Sequence, residues 1–538
     1  MKKQALILPI VGAVLSSPLN AYAQGEKQRP NVIILTADDL GWNDISSPIT
    51  TEGSGSKNHQ TPNIDRLITQ GVSFTNSYTQ QNSAPTRAAL LTGQYANNTG
   101  VYNVTSLTRY GTAKKGGITE KEALITPPDQ NNSILPSTVT LAETLHEGGY
   151  ETYIFGKVHG WNGDLTDDHG FTHNYECSKA VSEGGEKVSN YFAHQKQSGE
   201  WVFASESYNK YADPYTEEYV KEKLLPFANG NDPMTIVGRE KHFTDAIGDM
   251  VVDQIAELDP DQPAMMWICF HAIHSGIVAR EDLYDKYKSR TKLDERHKNY
   301  KYAALTEQLD QTVGRILAAL DDPNGDGDTS DSISENTLVI FMSDNGGVGG
   351  DHSNAPLRES KGTFYEGGIR VPFVARYPAL IEPNRVSCEP IHVIDYYPTI
   401  AQATGCELPA EQTHKLDGES FLPILTGESK ELKRDALYWH FPGYMDSRQQ
   451  PTSVINKRVG NERYKLRYYY ESESYELYNL TKDGSESQDL MVDITKQNQK
   501  IAGQLRADLC EWLIKNPPMT MRYKATGEAV GLPQRIAK

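Results

Sequence analysis

Ser83-Ala84-Pro85-Thr86-Arg87 sets a small hydroxyl and a guanidinium one helical turn apart, just ahead of the apolar run Ala88-Ala89-Leu90-Leu91. That order predicts a helix N-terminus with Pro in its first turn, so that Ser83 and Arg87 face one pocket. Backbone N–H groups and the helix dipole converge there, and both favour an anion. Ser is also an ordinary helix cap, and alone the segment says no more than that. Acids elsewhere change the reading. Asp38 and Asp39 follow the β-branched run Val32-Ile33-Ile34-Leu35, and Asp344 and Asn345 follow a second such run, Leu338 to Phe341. Ligands of open α/β sheets gather just beyond such strand ends. Three carboxylates and an amide oxygen without a nearby thiolate suit a hard cation, Ca²⁺ or Mg²⁺, rather than zinc. Lys157 and His159 alternate on an extended segment and share a face.

The segment from Ser83 to Gly93 resembles the signature of the type I, formylglycine-dependent sulfatases of the alkaline-phosphatase superfamily. Their motif has Cys or Ser first, then x-Pro-Ser/Thr-Arg and a following Thr-Gly. Asn31 to Asp39, Gly156-Lys157-Val158-His159, Ser343 to Gly347, Lys361 to Pro372, Asp395 to Thr399, Leu416 to Pro423 and Glu476 to Leu480 resemble the family in the family's order. The resemblance implies a large mixed, mainly parallel α/β sheet between helices, with a small C-terminal antiparallel subdomain. It also implies a sulfuric ester hydrolase, Ser-type like bacterial polysaccharide sulfatases, acting on a sulfated carbohydrate. A marine galactan such as carrageenan is the first expectation.

The same resemblance implies that a maturase oxidises Ser83 before export to formylglycine (3-oxoalanine), whose hydrated aldehyde offers one oxygen to sulfur and a second as a way out. Ca²⁺ is the implied cation, one per chain, on Asp38, Asp39, Asp344 and Asn345. Arg87 holds the diol, and Lys157 contacts diol and sulfate. His159 is the base of the second step, and His274 with Lys361 binds sulfate and helps protonate the leaving oxygen. Ile273 stands where the family carries Pro before that His. His271 reads as a buried structural histidine. The alternatives are a two-zinc phosphatase or phosphodiesterase of the same superfamily, or a relative that only binds sulfated glycans. The first expects a His where Asn345 stands.

The elements that must position these residues are legible in outline. Val32–Leu35, Met265–Phe270 and Leu338–Phe341 read as buried parallel strands. Thr61–Gln70, Leu141–Glu147 and Tyr302–Leu320 read as helices, and the alternation argues for an α/β sheet covered on both faces. Residues 161–240 lack periodicity and read as long loops. Residues 24–430 form the expected catalytic domain. Residues 431–538 form the subdomain, with Tyr-rich strands from Leu437 to Leu480 and a helix near Ile501–Ile514.

Residues 1–23 read as a secretory signal: Lys2 and Lys3, an apolar stretch, then Ala21-Tyr22-Ala23. A periplasmic or secreted protein is expected, with no membrane span. A net charge of −18 argues against nucleic acid, and demands local cations in any cleft that takes a polyanion. Of five cysteines, Cys269 reads as a buried thiol, and Cys388 and Cys406 are a possible pair. Asp322 to Asp328 resembles the start of a calcium loop but has Ile333 where the bidentate Glu belongs, and reads as an exposed acidic turn.

Overall fold

In the computed structural model, eight strands form one twisted sheet. The structure describes residues 29–535 apart from 48–54, 113, 115, 159–164, 167–168, 178–181, 184–185, 188–190, 292–294, 351 and 493. The expected signal segment and His159 therefore lie outside the described residues. In chain order the sheet strands are β1 (Asn31–Ala37), β2 (Val72–Phe74), β3 (Glu151–Gly156), β4 (His173–Glu176), β5 (Ala264–Cys269), β6 (Thr337–Ser343), β7 (Phe373–Arg376) and β8 (Arg385–Ser387). Their spatial order is β8-β2-β7-β6-β1-β5-β3-β4. Only β7 among them runs antiparallel to its neighbours.

Alternation along the central strands sorts side chains into two cores. Val32 and Ile34 join Met265, Trp267, Leu338 and Ile340 on one face. Ile33 and Leu35 join Met266, Ile268, Val339 and Phe341 on the other. Both faces are therefore apolar, which is why these runs read as continuous rather than alternating. Helix α1 (Pro62–Thr69), α4 (Phe243–Ala256) and α5 (Tyr300–Asp321) cover the second face. Helix α2 (Ser83–Thr92), α3 (Leu141–Glu147) and α6 (Tyr396–Thr404) cover the first. No helix among the described residues is long and apolar enough to cross a membrane.

Four strands, β9 (Ala436–Phe441), β10 (Thr452–Val459), β11 (Glu462–Tyr469) and β12 (Ser474–Asn479), make an antiparallel sheet in that order. Helix α7 (Lys496–Lys515) packs on it through Ile501, Leu505 and Leu509, and Ile455, Leu466 and Leu477 carry the first core onward into this sheet. A buried ion cluster docks the sheet beside the loop that bears Lys361. Lys465 on β11, fully buried, lies 3.0 Å from Glu366 and 2.9 Å from Glu486. The Tyr78 hydroxyl donates to Glu366 at 2.9 Å, and Glu486 accepts the Glu366 backbone N–H at 2.6 Å. Lys465→Met would leave two buried carboxylates opposed. A loss of about 3–5 kcal/mol is expected, read as a fall in the urea midpoint; an unchanged midpoint would show that the cluster does not hold the dock.

Within residues 161–240, β4 extends the main sheet, which the irregular composition did not reveal. The remaining described segments there are short strands and short helical stretches, such as Glu206–Tyr211 and the unbroken run from Glu217 to Phe227. All five cysteines are free, so the possible Cys388–Cys406 pair is not formed. Cys406 instead accepts from Arg29 at 2.7 Å, while Cys388 is exposed and Cys269 buried. Asp322, Asn324 and Asp326 turn their side-chain oxygens onto the backbone N–H groups of their own exposed loop. That loop is the acidic turn.

Candidate active site

Parallel pairing of β1 with β6 puts Ala37 opposite Ser343, so the acids that follow each strand emerge side by side. Asp39 leaves β1 with φ 67°, a left-handed conformation that Asp tolerates better than most residues. Its N–H donates to Asp344 Oδ1 at 3.2 Å, while Leu40 N–H donates to Ser343 Oγ at 3.0 Å. Asn345 donates its Nδ2 to Asp39 at 2.8 Å and turns its Oδ1 toward Ser83 Oγ, 3.4 Å away. Asp38, Asp39, Asp344 and Asn345 are all essentially excluded from solvent.

Ser83 is the first residue of α2 and fully buried, one position inside the cap residue Asn82. Arg87, one turn on, donates to Asp344 at 2.9 Å and to the Lys157 carbonyl at 2.8 Å, and lies 3.5 Å from Asp38. Lys157 follows β3 and pairs with Asp38, and Lys361 pairs with Asp39. Gly156 allows the chain to enter this position. Its φ is 77°, and a Cβ there would meet the Cys269 carbonyl oxygen at 2.1 Å.

His274 stands at the mouth, 34% exposed, with Nε2 3.9 Å from Asp39. Where the family carries Pro, Ile273 donates its N–H to the Asp38 carbonyl at 2.6 Å, a bond that Pro could not make. The loop is tied by that bond and by the Tyr191 hydroxyl, 2.9 Å from the His271 carbonyl oxygen and 3.0 Å from that of His274. His271 is buried and its imidazole is pushed down to about 3 by burial and by Lys157. It is structural, as the sequence suggests.

Electrostatics follow from this packing. Burial pushes the Asp38 carboxyl up, but Lys157, His274, Lys361 and Arg87 together outweigh burial and hold it well below the usual range. Burial and the neighbouring Asp38 raise Asp344. Burial works against the charge of Lys361, yet Asp39, Asp38 and Asp344 raise its pKa. Three carboxylates thus face three basic side chains. Asp38 Oδ1 and Asp39 Oδ2 nevertheless remain buried without a hydrogen bond. Ligand atoms of Asp38, Asp39 and His274 lie within 4.8 Å of one another. Orphaned buried carboxylate oxygens are costly unless a cation meets them, so these residues fit a hard divalent ion. With that ion added the site is net positive.

Beside the Lys361 loop lies a cavity of ≈ 580 Å³ lined by Arg358, Arg448, Arg467, Tyr365 and Tyr469. Arg467 and Arg358 sit over the Tyr365 ring, 3.6 and 4.0 Å from its centroid. Glu359, Asp446 and Glu476 line the cavity too, Asp446 2.8 Å from Arg448 and Glu476 3.8 Å from Arg467, so its wall is of mixed charge. A Cβ on Gly362 would come within 3.2 Å of Arg448 Nη1, which places the wall against the loop that presents Lys361. Sequence reasoning missed it because, Tyr365 and Glu476 apart, these residues lie outside the motifs and come from separate segments.

A buried hydroxyl at a helix start, ringed by paired acids and fixed cations, is arranged to hold a tetrahedral oxyanion ester, the work of an ester hydrolase. Comparison with known proteins gives the family. The sulfatase family model matches residues 30–406, and that of the N-sulphoglucosamine sulphohydrolase C-terminal region matches residues 360–515. A sulfatase of Formosa agariphila is 46% identical over 552 residues, spanning 100% of this chain and 98% of that protein. The N-acetylgalactosamine-6-sulfatase of Canis lupus familiaris is 28% identical, over 75% of this chain and 67% of its own length. The crystal structure of Ps i-CgsB in complex with k-i-k-neocarrahexaose superposes with a TM-score of 0.63 at 25% identity, covering 91% of this chain and 94% of that one. The chain belongs to the sulfatase family and is a sulfuric ester hydrolase.

Proposed function

We propose that this sulfatase removes sulfate from a sulfated poly- or oligosaccharide, carrageenan-type galactan first, using formylglycine derived from Ser83 and one bound Ca²⁺. The reaction consumes water: the ester becomes the sugar alcohol, sulfate and a proton. The observation that carries the reading is Ser83, fully buried at the start of α2 with its Oγ 3.4 Å from Asn345, amid Asp38, Asp39, Asp344 and Arg87. Asp38, Asp39 and Asp344, with Asn345 beside them, would hold the cation; Mg²⁺ is the second choice. Oxidised residue 83, once hydrated, would supply an oxygen nucleophile beside that positive charge, where a serine hydroxyl alone is weak.

The chain's own residues do the rest. Arg87, locked between Asp344 and the Lys157 carbonyl, orients residue 83. Lys157 and Lys361 hold the sulfate oxygens and offset charge that grows as the ester bond breaks. His274, at the solvent-facing mouth, gives a proton to the departing sugar oxygen, and His159 takes one in the step that frees sulfate. In a chain of net charge −18, the cations that would meet the sulfate are Arg87, Lys157 and Lys361 at the site itself. Ps i-CgsB, solved with a neocarrahexaose, supports a galactan. The Formosa agariphila relative spans the whole chain but its name gives no substrate.

The leader sequence supports export to the periplasm or medium, with maturation of Ser83 by a formylglycine-generating enzyme beforehand. Mass spectrometry of the peptide containing residue 83, from the native host, should show the loss of two hydrogens, about two mass units. That material should release sulfate from carrageenan oligosaccharides. Unmodified Ser83 in active enzyme would refute the nucleophile, and activity only on another sulfated glycan would refute the galactan.

A further inference from the structure

A second cluster of ligating side chains lies beneath the loop that follows Asp39, outside the chemistry above. We propose that Asp44, His297 and His352 form a second metal centre that takes a divalent transition-metal ion of the zinc class and braces the loop bearing Asp38 and Asp39. Asp44 is fully buried, and His297 and His352 are 2% and 6% exposed. Asp44 Oδ1 lies 3.2 Å from His297 Nε2 and 3.3 Å from His352 Nδ1. Ligand atoms of all three residues lie within 4.8 Å of one another. Donors on a tetrahedral ion, each at about 2.0–2.1 Å, sit roughly 3.3 Å apart. Two imidazoles and one carboxylate, with a fourth position left for water, suit zinc better than the all-oxygen preference of calcium.

Hydrogen bonding around the cluster points the same way. Asp44 Oδ2 is satisfied by the Gly41 N–H and the Tyr302 hydroxyl, both at 2.6 Å, while Asp44 Oδ1 and His352 Nδ1 have no hydrogen bond although both are buried. Asn354 donates its Nδ2 to the carbonyls of Gly347 and Glu359, which turns its Oδ1 toward His352 Nε2 at 3.4 Å. The proton of His352 therefore belongs on Nε2. Its Nδ1 lone pair faces the Asp44 Oδ1 lone pair at 3.3 Å, an arrangement that is repulsive unless a second proton or a metal cation sits between them. His297 is held from its other ring nitrogen, Nδ1, 2.9 Å from Ser56 Oγ. His59 packs against His297, but turns its Nδ1 to the Asp44 carbonyl at 2.7 Å and so orients the loop rather than ligating. Gly41 and Gly347 leave room: a Cβ on either would come within 3.0 and 2.4 Å of His352 Nε2.

Tyr302 connects the two centres, its hydroxyl lying 3.0 Å from the Asp39 carbonyl oxygen as well as on Asp44. Removal of the second ion should therefore loosen the loop between Asp39 and Asp44, while the Asp39 carboxylate stays paired with Lys361.

The experiment is metal counting by inductively coupled plasma mass spectrometry. Full-length protein from zinc-supplemented cells is dialysed against metal-free buffer and compared with His352→Gln. The wild type is expected to retain about one zinc-class ion per chain beside its calcium. The variant should lose the zinc-class ion, keep its calcium, and melt at a lower temperature. A zinc-class ion retained in His352→Gln, or a wild type that holds only a hard cation after zinc loading, overturns the proposal; the second result would leave a hydrogen-bonded Asp–His cluster. Should the variant not fold, anomalous scattering at the zinc edge from wild-type crystals decides it. A peak between Asp44, His297 and His352 supports the site, and its absence after zinc soaking rejects it.

Discussion

Replacing Asp344 by Ala is expected to lower sulfate release on the order of 10³-fold or more and to weaken calcium binding at least tenfold. Asp344 is joined to both halves of the site. It accepts from Arg87 at 2.9 Å and from the Asp39 N–H at 3.2 Å, fixing the guanidinium beside Ser83 and the left-handed turn of Asp39. Without it, Arg87 keeps only the longer contact to Asp38 and the Lys157 carbonyl, and the cation set loses one of its three carboxylates. Asp344→Asn keeps the volume and separates charge from shape. It should fold like the wild type yet remain nearly inactive. The measurements are sulfate release at saturating substrate and calcium titration by calorimetry. Turnover close to wild type in Asp344→Ala, surviving exhaustive chelation, would show that the acids at the strand ends are structural.

How far the sequence showed this site depends on where each residue lies relative to regular structure. Asp38 with Asp39 and Asp344 with Asn345 were legible because each pair ends an unbroken apolar run. Parallel pairing in register then brings the two ends together. Helical spacing put Ser83 and Arg87 on one face, but their reading as more than a helix cap and a surface Arg rested on the family resemblance. Lys157 and His274 needed the family resemblance, since each sits on a loop whose course is set by distant contacts, such as Lys157 N–H on the Cys269 carbonyl and Ile273 N–H on that of Asp38.

Asp44, His59, His297 and His352 were not seen at all. They come from three separated segments and carry no mutual spacing, so nothing local marks that they meet. The fold was legible to a similar depth. Three central strands, β1, β5 and β6, gave themselves away as apolar runs, and so did helices α1, α3, α5 and α7, whereas β3, α4 and α6 went unread. Strands β2, β7 and β8 went unread too, because runs of three or four residues carry too little pattern to mark a strand.

Replacing His274 by Ala should slow release of the sugar alcohol on the order of 10²–10⁴-fold, with the loss tied to the leaving group. His274 is the partly exposed imidazole at the mouth, 3.9 Å from Asp39, whereas His271 is sealed beneath it with its imidazole pushed down to about 3. A proton donor must reach the oxygen that departs toward solvent, and His274 can do so while His271 cannot. An alkoxide leaving group needs that proton; the phenolate of an activated aryl sulfate does not. The variant should therefore fail on sulfated sugar while retaining much of its rate on nitrophenyl sulfate. His159→Ala should behave in the opposite way. Alcohol should appear in a burst and then stop, with sulfate left attached to the protein, because the later proton transfer is the one removed. Both measurements require protein in which residue 83 has been shown to be converted. Equal losses on activated and unactivated substrates in His274→Ala would remove it from leaving-group protonation. Sulfate retained on the His274 variant and not on the His159 variant would exchange the two roles, leaving membership of the sulfatase family untouched.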